Sequence, residues 1–133
     1  MKSIFSVLAL ILFICSCGVT QSSVGDDTSD SPETIEIEGL LVMKVDLGKM
    51  TWAEAGEACE KMGDGWRLPT KDELNMLYEN KSTIGGFVYG DYWSSTENPN
   101  LSTDVWCQNF KMGMKSISWN KTETHYARAV HDL

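Results

Sequence analysis

Long apolar runs are missing from this 133-residue chain: no stretch reaches the ~18 residues that a membrane-spanning helix needs. Basic side chains are in short supply too. With 11 Lys and Arg against 19 Asp and Glu, the formal net charge is −8, which excludes a nucleic-acid partner, since phosphates are neutralised by clustered cations. Histidine occurs only at His125 and His131, and neither Cys-x-x-Cys nor His-x-x-x-His spacing is present, so the common metal-binding patterns are missing. There is no internal repeat, which excludes a solenoid. What remains is ordinary for a globular domain: 42% hydrophobic and 23% charged residues, without the composition of wholesale disorder.

The N-terminus reads as an address. Lys2 supplies a positive start, and Ile4 to Ile14 forms an apolar core broken only by Ser6, the length of a secretory h-region. It ends Ile14-Cys15-Ser16-Cys17-Gly18, which resembles a bacterial lipobox. On that reading residues 1–16 are a lipoprotein signal peptide, and Cys17 is lipidated and becomes the mature N-terminus. The competing reading is an ordinary secretory signal cut nearby. Residues 17–34 are dominated by Ser, Thr, Asp and Gly, too little apolar surface to fold, and form a flexible tether.

Residues 35–133 form the folded part, an α+β pattern. Alternation from Ile35 to Leu47 reads as extended strand. Thr51 and Glu54 form a capping box, followed by Trp52, Ala55, Cys59 and Met62 on one helix face ending at Gly63. Thr70 and Glu73 repeat the device, with Leu74, Leu77 and Tyr78 as the apolar stripe and Gly85-Gly86 beyond it. Short strands follow at 89–96, 105–110 and 114–119, the last two joined as a hairpin through Lys111-Met112-Gly113, and then at 124–130.

Several blocks in this part identify it. Gly65-Trp66-Arg67-Leu68-Pro69-Thr70, Tyr92-Trp93-Ser94-Ser95-Thr96, Val105-Trp106 and Tyr126-Ala127-Arg128-Ala129-Val130 follow a helical Cys59. In that order the chain resembles the Lcl C-terminal-like domain family, also called the Fibrobacter major paralogous domain, over about Leu40 to His131. The resemblance implies a C-type-lectin-like fold related to the formylglycine-generating group, with two helices flanking a small, mostly antiparallel sheet. It also implies an adhesive binding role at a bacterial surface. Two positions depart from the pattern. Ala129 stands where many relatives carry a cysteine bonded to the helix cysteine, and His131 where many carry a second Arg.

The candidate chemistry is sparse. With Cys17 lipidated, Cys59 and Cys107 remain; a disulfide between them closes a loop of about fifty residues and is worth ~2–4 kcal/mol. Alternatively, both are buried thiols on patterned faces. Glu97-Asn98-Pro99-Asn100 and Trp119-Asn120-Lys121 are similar to the calcium-and-sugar motifs of true C-type lectins, but an inserted Asn and a Lys in place of Asp leave too few anionic oxygens. No metal or other cofactor is expected. A Cys107/His125 nucleophile–base pair lacks an orienting group, and the expected function is not enzymatic.

Among the 11 basic side chains only Arg67 and Arg128 are arginines; both occupy motif positions and are read as fold-fixing clamps, for which a guanidinium suits better than an ammonium. Trp52, Trp66 and Trp106 are read as core. Tyr89, Tyr92, Trp93, Asn98, Asn100 and Trp119, in the segments 89–102 and 115–123, are the candidate ligand-binding residues, because they mix aromatics with adaptable polar side chains. The resulting expectation is a lipid-anchored lipoprotein of the bacterial envelope, at the outer membrane or cell surface, presenting a binding or adhesion module for a protein or glycan. A structural envelope component without its own ligand is the alternative, and an enzyme is a remote third.

Overall fold

The computed structural model of the chain describes residues 32–115 and 117–133. The expected signal peptide, Cys17 and the expected tether up to residue 31 lie outside the described residues. The domain, Pro32–Leu133, is a single compact unit.

The stretch expected as one strand from Ile35 to Leu47 is a hairpin followed by a separate strand. Strands β1 (Thr34–Ile37) and β2 (Leu40–Met43) pair antiparallel, and Glu38 and Gly39, with φ of 46° and 87°, make the left-handed turn that a two-residue hairpin loop demands. Strand β3 (Gly48–Met50) follows. Helix α1 (Trp52–Glu60) starts on the complete Thr51/Glu54 capping box, and α2 (Lys71–Glu79) on the Thr70/Glu73 box. The two-residue strand β4 (Trp66–Arg67) lies between them. A short α3 (Lys81–Ile84) leads to the glycine pair. Strands β5 (Asp91–Glu97), β6 (Asp104–Asn109) and β7 (Ile117–Asn120) come next. The last expected strand is broken into β8 (His125–Ala127) and β9 (Val130–Asp132), because Arg128 between them turns into the interior.

The strands form two sheets, ordered β1-β2-β9-β4 and β3-β8-β5-β6-β7. All pairings are antiparallel except β5 with β8, which meet at Tyr92 and Tyr126. Pairing of β2 with β9 brings the two ends of the domain together. Among the described residues no helix is long and apolar enough to cross a membrane.

Both sheet faces are covered. Ala55 and Cys59 of α1 join Met43, Trp93, Val105, Cys107, Ala127 and Ala129 in one core cluster. Leu74 and Leu77 of α2 join Val42, Tyr92, Phe110 and Val130 in the other. Neighbouring residues such as Val42 and Met43, or Tyr92 and Trp93, thus point to opposite sides, as strand geometry requires, and both sides are dry. The tryptophans expected in the core are displaced outward: Trp52 and Trp66 are half-buried at the edge of the first cluster. Trp106 is half-buried too, with the Lys71 ammonium 3.8 Å from its ring centroid.

Candidate functional site

Arg128 is fully buried. Its Nε donates to Asp46 Oδ1 at 2.7 Å, and its Nη1 to the carbonyls of Met43 and Gly85 at 2.8 and 3.1 Å. Its Nη2 lies 2.6 Å from the same Asp46 oxygen, although the N–H bonds there are not aligned on an acceptor. The plane rests on Phe87, 3.9 Å from the ring centroid. Tyr92 completes the group by donating to Asp46 Oδ2 at 2.7 Å and accepting from Val88 N; burial and then Asp46 push its phenol up, so it stays a donor. Gly86 has to be glycine here, because its φ is +75° and a Cβ would collide with the Lys44 carbonyl. The cluster ties β2, the glycine pair and the β8–β9 break together.

Arg67 joins β4 to α2 and β9. Nη1 and Nη2 donate to the two Glu73 oxygens at 2.7 and 2.9 Å. Nη2 and Nε donate to the Asp132 carboxylate at 2.8 and 3.4 Å, and Nη1 also reaches the Leu68 carbonyl. All five N–H groups therefore have acceptors within the domain, and none is left for a ligand. Arg67 in turn holds the Glu73 and Asp132 carboxyls below the usual range. Both arginines are clamps.

The expected recognition face needs correction. Tyr92 and Trp93 are fully buried: β5 is covered on both sides, so neither residue reaches solvent. Trp93 donates its indole N–H to the Met50 carbonyl. Asn98 is half-buried and used locally, its Oδ1 accepting from Asn100 N and its Nδ2 donating to Ser118 Oγ. Trp119 is half-buried, donates to Asp91 Oδ2 at 2.8 Å and stacks on His125 with 5.2 Å between centroids. Only Tyr89, 80% exposed, and Asn100, also exposed, stand free.

Cys59 and Cys107 are free, buried thiols in the same core cluster, so of the two readings the structure takes the unbridged one. Burial, with Glu60 second, pushes the Cys59 thiol up to about 11. Cys107 donates to the Val105 carbonyl and is raised further by burial and then by Asp91 and Asp104. Both are protonated core groups at neutral pH. Ala129 sits in the cluster with Cys59. His131 packs edge-on against Trp66 at 5.4 Å and contacts the Asp64 carbonyl through Nε2 at 3.1 Å. Among the described residues no three His, Cys, Asp or Glu side chains converge as a metal site.

An open recess does exist, between α1 and β4. It is a cleft of about 270 Å³ walled by Trp52 and Trp66, with Cys59 and Leu68 beneath and Gly56 on the helix side. Ala53, Glu60, Arg67 and Ser95 complete the lining. Trp52 is held by its indole N–H, which donates to the Ser94 carbonyl at 3.0 Å. Gly56 keeps the space open: a Cβ there would meet no atom within 4 Å, so packing within the domain does not demand glycine. Yet glycine in mid-helix costs about 0.5–1 kcal/mol relative to alanine. Leu68 and Ser95 enter the sequence reading only inside motif blocks, and Gly56 and Glu60 not at all; an otherwise unexplained glycine four residues after Trp52 is the one signal available.

Compared with known proteins, residues 27–131 match the family model of the Lcl C-terminal domain. No curated protein matches the chain at a significant level.

Proposed function

Because the chain belongs to the Lcl C-terminal domain family, we propose that it is a non-enzymatic binding module of the bacterial envelope, with a C-type-lectin-like fold and a lipid anchor on Cys17. The ligand, a protein or a glycan, is held in the Trp52–Trp66 cleft. The joined ends of the domain, with β2 beside β9, and the two flanking helices support the fold assignment. The single observation that carries the binding reading is Gly56. A helix-destabilising residue stands where alanine would fit, at the wall of an apolar recess, which is the pattern of stability given up for a site.

Arrays of glycans and of surface and matrix proteins, probed with the parent protein and with Gly56→Leu, test this. The side chain of the variant occupies the cleft. The expected result is a ligand bound by the parent and lost by a Gly56→Leu protein that still melts cooperatively. A ligand bound equally by both moves the site elsewhere, and no ligand at all favours the structural-component reading.

A further inference from the structure

We infer that the cleft takes one large apolar side chain of a protein segment flanked by basic residues; this rests on the cleft being the binding site. Size comes first. At about 270 Å³ the recess falls just below the ~300–1,000 Å³ of pockets for drug-sized ligands, so it admits one side chain or one sugar ring.

Polar capacity then separates these two. A sugar ring needs several hydrogen-bond partners, since a buried hydroxyl left unpaired is disfavoured. Arg67 spends all its N–H groups on Glu73, Asp132 and Leu68, and the Trp52 indole is already given to Ser94. Beside the Glu60 carboxylate only two donors remain in the side-chain lining, the Ser95 hydroxyl and the Trp66 indole, fewer than the oxygens of a pyranose would take but sufficient around an apolar anchor.

Charge sets the flanks. Glu60 in the lining and Glu57 and Asp64 nearby along the chain are exposed beside Lys61, while the two other cations at the cleft are neutralised within the domain, Arg67 by Glu73 and Asp132 and the Lys121 ammonium over Trp52 by Glu97, on a chain of net charge −8. Complementary charge around a buried anchor steers association and excludes acidic competitors. The chain's own tether is a poor occupant, because it carries Asp26, Asp27 and Asp30 and no basic residue.

The test uses the full-length chain with Cys17→Ser, ¹⁵N-labelled at the indoles, and three capped tripeptides, Lys-Trp-Lys, Glu-Trp-Glu and Lys-Ala-Lys, with N-acetylglucosamine as the sugar probe. Lys-Trp-Lys is expected to shift the Trp52 and Trp66 indole signals saturably. It should bind at least about tenfold more tightly than Glu-Trp-Glu at low salt, Lys-Ala-Lys should leave both signals unmoved, and Gly56→Leu should abolish the effect while its spectrum stays dispersed. Equal shifts from Glu-Trp-Glu or Lys-Ala-Lys overturn the inference. Shifts from the sugar without shifts from the peptides keep the cleft and overturn the peptide assignment. If none of these probes moves either indole but an array-selected ligand does, the inference alone falls; if that ligand moves neither, the cleft falls with it.

Discussion

Arg67 and Arg128 are the chain's two arginines, and each spends its guanidinium inside the domain. For Arg67, lysine would keep the charge and lose the fork that reaches Glu73 and Asp132 together. Arg67→Lys is expected to lower stability by ~1–3 kcal/mol, at the lower end because the side chain is one-third exposed. An unchanged melting temperature with weakened binding would make Arg67 a contact residue instead. His125 makes a second residue-scale case. It lies edge-on to Trp93 at 4.9 Å and stacked on Trp119, and its buried Nε2 has no hydrogen-bond partner. Desolvation holds its pKa below the ordinary value, against the attraction of Asp91 and Glu123 and with the help of Lys49. The unfolded chain therefore takes up this proton first, near pH ~6.5, so stability falls as the pH drops from about 7 towards 5. His125→Phe, which keeps the stack and cannot titrate, should flatten that part of the melting-temperature profile. An equally steep profile would show that another group is responsible.

Element by element, the helices were the most legible. Both capping boxes form with the residues that announce them, since a cap is a local device spanning four residues. Strand β4 was invisible because two residues carry no period, and it exists only by pairing with β9. Tyr92 and Trp93 misled for a related reason. Aromatics in polar company suggest an open face, but at Tyr92–Ser94 the strand is dry on both sides because α1 covers one and α2 the other, a tertiary fact absent from any window of sequence. The cleft was hidden in the same way: its walls come from α1 and β4, with Ser95 from β5. Helix α1 also yields a prediction. Gly56→Ala should raise stability by about 0.5–1 kcal/mol, a few degrees in a domain of this size, while narrowing the cleft and weakening its ligand. A loss of stability would mean that Gly56 is required by the fold, and the argument for a site kept open would fail.

At the scale of the whole molecule, the α+β class followed from the succession of strand, two helices and a run of strands, and it is the class observed. The address could be read only in the sequence, since residues 1–31 lie outside the described part. If Cys17 is the anchor, the mature protein partitions into detergent, and its N-terminal peptide carries the mass of a diacylglyceryl cysteine, two acyl chains being what stable attachment needs. Cys17→Ser should release it to the aqueous phase. An unmodified N-terminus beyond Cys17 would contradict this. Binding, in turn, has five natural reporters, because of the five tryptophans Trp52 and Trp66 wall the cleft, Trp93 is buried in the core, and Trp106 and Trp119 lie in β6 and β7.

Following the five indole N–H resonances while a ligand selected on the arrays is added locates the site in one experiment. Trp52 and Trp66, which wall the cleft, should shift together and saturate, with Trp93, Trp106 and Trp119 essentially still. Saturable shifts at Trp119, with Trp52 and Trp66 unmoved, would put the ligand beside β7 and contradict the assignment of the cleft.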